Sequence, residues 1–92
     1  MIDKSQMTSK GTPLLSVSVR TREKVLFEGS ALSVTSFNLR GRFDILPFHT
    51  NFITLVSKYV IITTGSGEVR HFDIEKGILY VMSNKVSVYV GI

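Results

Sequence analysis

Few residues in this 92-residue chain have the types and spacing to do chemistry, and the two histidines come first. His71-x-Asp73 sets an imidazole and a carboxylate two positions apart, which on a strand places them on one face. That is half of a metal site or of an acid–base pair, but no third ligand stands at a suitable spacing, and there is no cysteine to supply a thiolate. A solvated strand face accounts for the pair. Gly65-Ser66-Gly67 is too short for a phosphate-cradling loop, and no helical pattern follows to offer backbone N–H groups and a dipole, so it reads as a hairpin tip. Serines are plentiful, but none sits in a Gly-x-Ser-x-Gly elbow ahead of a helix. The convergent set that catalysis needs is missing, and no cofactor is expected.

The elements that must carry these residues are strands. Leu15, Val17 and Val19 alternate with Ser16, Ser18 and Arg20, and Val86, Val88 and Val90 alternate with Lys85, Ser87 and Tyr89. Leu32 and Val34 alternate with Ser33 and Thr35. Period two marks strands with one buried face. Turn signals recur at residues 21–24, Gly29-Ser30, Gly65-Ser66-Gly67, Glu75-Lys76-Gly77 and Ser83-Asn84. Phe48, Phe52, Ile53, Leu55 and Val56 could line a short helix, but β-branched residues are frequent there and no cap is present, so a strand is expected. The pattern predicts an all-β fold, a sandwich or barrel of many short strands. Its core is expected to include Val17, Val19, Leu26, Phe27, Val34, Ile45, Ile61, Phe72, Leu79 or Tyr80, Val86 and Val88.

Ninety-two residues make one small domain without room for a second lobe. Residues 1–13 are polar and end in Gly11 and Pro13, and read as a flexible leader before a domain at 14–92. Apolar residues are 43% and charged residues 20%, the balance of a folded globular chain rather than a disordered one. No apolar run approaches the roughly twenty residues that span a bilayer, so membrane contact is expected only through a partner. A net charge of +4 admits nucleic acid, and nine Phe and Tyr residues could stack bases. The basic residues are scattered, however, and most aromatics fall where a core is expected, so no nucleic-acid partner is expected.

Three stretches resemble one family. Thr21-Arg22-Glu23-Lys24-Val25-Leu26-Phe27-Glu28-Gly29 is similar to the turn and Val-Leu-Phe-x-Gly strand of F-type ATP synthase epsilon subunits (delta in mitochondria). Gly41-Arg42-Phe43-Asp44-Ile45-Leu46-Pro47-Phe48-His49 resembles that family's Gly-x-x-Gly-Ile-Leu-Pro-Gly-His loop, and residues 77–88 resemble its closing hairpin. Asp44 and Phe48 stand where the family usually has Gly, Asn51 where it often has Pro, and Arg42 where an acidic residue is frequent.

The resemblance implies a flattened sandwich of two antiparallel sheets, about ten short strands in all. It implies a non-catalytic central-stalk subunit of a proton- or sodium-translocating F-type ATP synthase, joining the gamma subunit to the membrane c-ring and coupling rotation to ATP synthesis. It places the protein peripherally on the cytoplasmic face of the bacterial cell membrane. Gly41, Arg42, Phe43, Asp44, Ile45, Leu46, Pro47 and Phe48 would form the c-ring-facing loop, and His49, Ile53, Thr54 and Thr21 would face gamma. The usual member continues into a two-helix hairpin that regulates ATP hydrolysis and in some members binds ATP. This sequence stops at Ile92 without that hairpin, either as a naturally short form or as a piece trimmed from a longer chain. The alternatives are a β-sandwich interaction module for another partner and a single-stranded nucleic-acid binder. Without a phosphate loop, the isolated chain is expected neither to bind nor to hydrolyse ATP. Calorimetry checks this, and saturable micromolar binding would contradict it.

Overall fold

The computed structural model describes residues 7, 8 and 11–91; residues 1–6, 9 and 10 of the expected leader, and Ile92, lie outside the described residues. Met7 and Pro13 form an isolated bridge, closed by Thr12 N donating to Thr8 Oγ1 at 3.0 Å. Six strands follow: β1 (Leu15–Arg20), β2 (Val25–Asn38), β3 (Gly41–Ile45), β4 (Phe52–Thr64), β5 (Val69–Met82) and β6 (Lys85–Val90). No helix occurs among the described residues.

The expected all-β class holds, but two separate sheets of about ten short strands do not form. One six-stranded sheet runs β1-β6-β5-β4-β2-β3, and β1 also pairs with β2. Five strands therefore close into a ring, with β3 appended to β2. The count falls from ten to six because β2, β4 and β5 are long, at 14, 13 and 14 residues, and β2 and β5 run through positions that read as turns. Each bends and serves both walls of a flattened barrel.

Extra residues in the ladders accompany the bends. Leu32 is unmatched where β2 passes from Ala31↔Thr64 to Ser33↔Thr63, and Glu75 is unmatched where β5 passes from Ser57↔Lys76 to Lys58↔Ile74. Lys58 takes φ 72 at that second corner. An extra residue reverses the in–out alternation beyond it. In β5, Phe72 and Ile74 pack toward the core before the bulge, and Leu79 and Val81 after it. This selects Leu79 over Tyr80 for the core.

The core comprises Leu15, Val17, Val19, Ala31, Val34, Ile45, Val56, Val60, Ile62, Leu79, Val81, Val86, Val88 and Val90. Ile61 is half-buried, because in the apolar run 59–62 alternation cannot name the inner residues, and Val60 and Ile62 take them. Leu26, Phe27 and Phe72 also stop short of full burial and pack on the core's margin. The Arg70 guanidinium lies 5.7 Å from the rings of both Phe27 and Phe72 and shields this side.

Gly77 was read as part of a turn, yet it is buried in mid-strand. A Cβ there would stand 2.5 Å from the Tyr89 carbonyl oxygen on β6. The glycine thus sets how closely β5 and β6 approach. Gly77→Ala is expected to lower stability by about 1–3 kcal/mol through forced separation of the strands. Ile62→Ala is expected to lose about 2–5 kcal/mol, and Phe27→Ala less than the roughly 3–5 kcal/mol of a fully buried aromatic. Urea denaturation midpoints check all three.

Candidate functional site

Strand register assembles an apolar surface on the outside of the wall made by β1, β6 and the paired halves of β5 and β4. Across it, one row reads Ile53, Tyr80, Ser87 and Ser18, and the next reads Leu55, Ile78, Tyr89 and Arg20. Ile53 is 69% exposed and Leu55 66% exposed. The rings of Tyr80 and Tyr89 stack at 5.9 Å between centroids. Hydrogen bonding to Tyr89, with burial adding to it, holds the Tyr80 phenol above the usual tyrosine range. These aromatic and aliphatic side chains form an uncharged patch, bordered by the cations Arg20, Lys76 and Lys85 in the adjoining positions of the ladders. Such a patch is a protein-docking surface in its chemistry.

The sequence pointed to only one of these residues, Ile53. The others were hidden because residues 52–56 and 78–82 are apolar on both strand faces. A run apolar on both faces is the pattern of a strand covered on both sides, and that signal could have found the patch.

The four residues expected to face gamma do not share one surface. Ile53 lies in the patch. Thr54, next in the strand, points to the other side and accepts a hydrogen bond from Asn38 Nδ2 at 3.2 Å. His49 is half-buried, its ring 4.9 Å from that of Phe52, which in turn meets Phe43 edge-on at 6.1 Å. This aromatic group closes the opening between β3 and the start of β4. Thr21 sits in the β1–β2 turn, where its Oγ1 accepts from Glu23 N at 3.2 Å and Lys24 N at 3.1 Å. It lies beyond Arg20, three strand spacings or about 14 Å from the β4 row.

The segment expected to face the c-ring is strand as well as loop. Gly41, Arg42, Phe43, Asp44 and Ile45 form β3, paired with β2 from Asn38↔Gly41 to Val34↔Ile45. Ile45 is fully buried and Phe43 packs on the core, whereas Arg42 and Asp44 face outward. The Thr35 hydroxyl donates to the Asp44 carboxylate. Leu46 and Phe48 are exposed and Pro47 is half-buried, about 13 Å along β3 from its Gly41 end. Asn84 braces this loop: its Oδ1 accepts from Phe48 N, and its carbonyl accepts from Ser16 N at 2.9 Å. Asn51 Oδ1 accepts from Ser83 N at 3.1 Å.

His71 Nε2 lies 2.9 Å from Asp73 Oδ1 on an exposed part of β5. No group of three potential metal ligands forms among the described residues.

A family model described as the ATP synthase delta/epsilon chain β-sandwich domain matches residues 14–91. The ATP synthase epsilon chain of Clostridium botulinum strain Eklund 17B is 31% identical over 70 residues, covering 75% of this chain and 52% of the relative. The epsilon chain of strain Alaska E43 matches equally. The chain thus spans about half the length of the curated relatives it matches. Two solved assemblies share the fold. A chain of the Euglena gracilis mitochondrial ATP synthase OSCP/F1/c-ring structure superposes with a TM-score of 0.78 at 10% identity, over 98% of this chain and 56% of that one. A chain of the Tetrahymena thermophila mitochondrial ATP synthase central stalk/c-ring structure gives 0.70 at 18% identity, over 83% and 62%.

Phe48 carries φ 66, a conformation that favours glycine and strains a bulky side chain. Its side chain is 60% exposed, so little burial compensates. Phe48→Gly is expected to raise stability by about 0.5–1 kcal/mol, and Phe48→Ala, which keeps a Cβ, to raise it by less. Urea midpoints of the two variants check this.

Proposed function

The chain belongs to the ATP synthase delta/epsilon β-sandwich family, and from that premise we propose that it is a central-stalk subunit, a non-catalytic coupling part that joins gamma to the c-ring. The observation that carries this reading is the uncharged outer patch of Ile53, Leu55, Ile78, Tyr80 and Tyr89, which is too apolar to leave in water without a partner. The patch is the gamma-facing surface. Ile53 belongs to it directly, while His49, Thr54 and Thr21 act at its margins by holding the barrel edge and the β1–β2 turn in place. The ring-facing surface uses the exposed side chains of residues 41–48, Arg42, Asp44, Leu46 and Phe48. The protein then lies on the cytoplasmic face of the bacterial membrane, reached through the complex.

A coupling part transmits torque only if its two contact surfaces keep a fixed relation. The ring of ladders joins both walls of the barrel through the same three bent strands, so neither wall can slide on the other without breaking backbone hydrogen bonds. The Asn84 and Asn51 bonds fix the 46–51 loop to the β5–β6 hairpin in the same way.

Ile53→Glu is expected to weaken binding to the gamma subunit by at least about tenfold, as charging the centre of an apolar interface does, and to leave the circular dichroism and melting temperature unchanged because the side chain is exposed. Surface-immobilised gamma measures the affinity. An unchanged affinity, with the variant folded, would remove the patch from the interface.

A further inference from the structure

Among the described residues, the closed ring still leaves four stretches with a ladder on one side only: β3, residues 25–30 of β2, residues 69–75 of β5 and residues 52–57 of β4. Open edges invite further strands, and charged side chains are their usual guard. β3 carries Arg42 and Asp44, the β2 stretch carries Glu28, and the β5 stretch carries Arg70, His71, Asp73 and Glu75. Phe52-Ile53-Thr54-Leu55-Val56-Ser57 carries no charge and no proline. The next residue, Lys58, turns its Nζ onto the Phe37 ring, 4.0 Å from the centroid, so it does not guard this edge either.

The backbone of the unguarded edge points outward at the residues whose side chains are exposed. Ser83-Asn84 is a two-residue turn, so its closing pair, Met82↔Lys85, exchanges both hydrogen bonds. By alternation Tyr80, Ile78 and Lys76 also turn their backbone groups to β6, and the Lys76 carbonyl accepts from Gly91 N at 3.1 Å. Val81, Leu79 and Gly77 then bond to β4 through Phe52, Thr54 and Val56. That leaves the N–H and C=O groups of Ile53, Leu55 and Ser57 directed away from β5. Thr54 Oγ1 makes one long bond, 3.3 Å, to the Leu55 carbonyl. Ile53 and Leu55 also stand on the apolar patch, so a strand laid here continues the patch as well as the ladder. The His49, Phe43 and Phe52 rings close one end of the edge and the Lys58 bulge closes the other, which leaves residues 53–57 vacant.

We propose that residues 53–57 of β4 take up an extended segment of another protein as an added antiparallel strand. Main-chain hydrogen bonds to Ile53 and Leu55 hold the segment, and its side chains decide which segment fits. A second copy of this chain fits poorly. Arg40 lines the space beside Thr54 and Leu55, and twofold pairing at this edge brings two of those guanidinium groups together. The segment that fits has β-branched residues opposite Ile53 and Leu55, on the side of the patch. Between them, opposite Thr54, it has one carboxylate, which faces Arg40. The inference goes beyond the stalk reading, because it concerns how a strand is held and not which protein owns it.

The test uses the whole chain and a capped fluorescent peptide, Thr-Val-Glu-Val-Thr, followed by anisotropy. Saturable binding is expected. Hydrogen exchange should slow at the Ile53 and Leu55 N–H groups and stay unchanged at Thr54, whose N–H is already paired with β5. N-methylation of either valine, whose N–H faces β4, is expected to weaken binding about tenfold, and N-methylation of the glutamate, whose N–H faces away, by about twofold at most. Replacing that glutamate by lysine is expected to weaken binding about threefold, the size of an exposed charge effect. Leu55→Pro removes one outward N–H at an edge position that tolerates proline, and is expected to abolish binding with circular dichroism kept. The N-methyl series needs no protein variant, so it decides the matter even if Leu55→Pro fails to fold. Absence of saturable binding, equal losses from all three N-methyl peptides, or unchanged exchange at Ile53 and Leu55 would each overturn the proposal. So would a dimer of the unaltered chain in sedimentation that the peptide does not displace. Tighter binding of the lysine peptide than of the glutamate peptide would overturn the choice of partner.

Discussion

Closing five strands into one ring imposes a parity. Around a closed ring, each antiparallel neighbour reverses direction, and five reversals cannot return a strand to its own direction. One pair, or another odd number of pairs, must be parallel. Here it is β1 with β6, and the other four contacts of the ring are antiparallel. The β5–β6 hairpin must then turn back beside the start of β1. That brings Asn84 within reach of both Ser16 and Phe48, so one hairpin residue ties the beginning of the barrel to the 46–51 loop.

The ring also explains why a chain this small can leave an apolar patch outside. The three long strands each contribute side chains to both walls, and the enclosed space is filled by valine, leucine and isoleucine with no buried side-chain polar atom lacking a partner among the described residues. The buried Ser36 hydroxyl donates to the Tyr59 carbonyl at 2.7 Å. With cohesion supplied from within, Ile53, Leu55, Ile78, Tyr80 and Tyr89 are not needed to hold the fold and are available to a partner.

Strand identity and most inward positions were legible in the sequence, because period two survives wherever polar residues alternate with apolar ones, as in β1 and β6. Legibility failed at the corners. Gly29-Ser30 and Glu75-Lys76-Gly77 have the composition of turns, but the first lies within β2 and the second bends β5 by one unmatched residue while the strand continues. A bulge depends on what the partner strand does across the ladder, which no local pattern records. The candidate site was legible in part for the same reason. Ile53 and Arg42 could be pointed to, but whether Thr54 joins Ile53 on one surface, or Phe43 joins Arg42, is decided by alternation, which turns Thr54 and Phe43 away. The patch itself needed the register of four strands. Family resemblance supplied the position of the unusual Phe48, and the positive φ at that residue supplies the reason glycine is usual there.

The parallel β1–β6 pair has a mechanical side. Tension drawn between the start of β1 at Leu15 and the end of β6 at Val90 runs along both strands in opposite senses. The backbone bonds at the five matched positions, from Ser16↔Lys85 to Arg20↔Tyr89, are then strained together in shear rather than opened one after another like a zip. Antiparallel neighbours joined by a hairpin, pulled from their free ends, would peel. Rupture must instead break the whole row at once, so the seam where the ring closes is also its clamp against pulling.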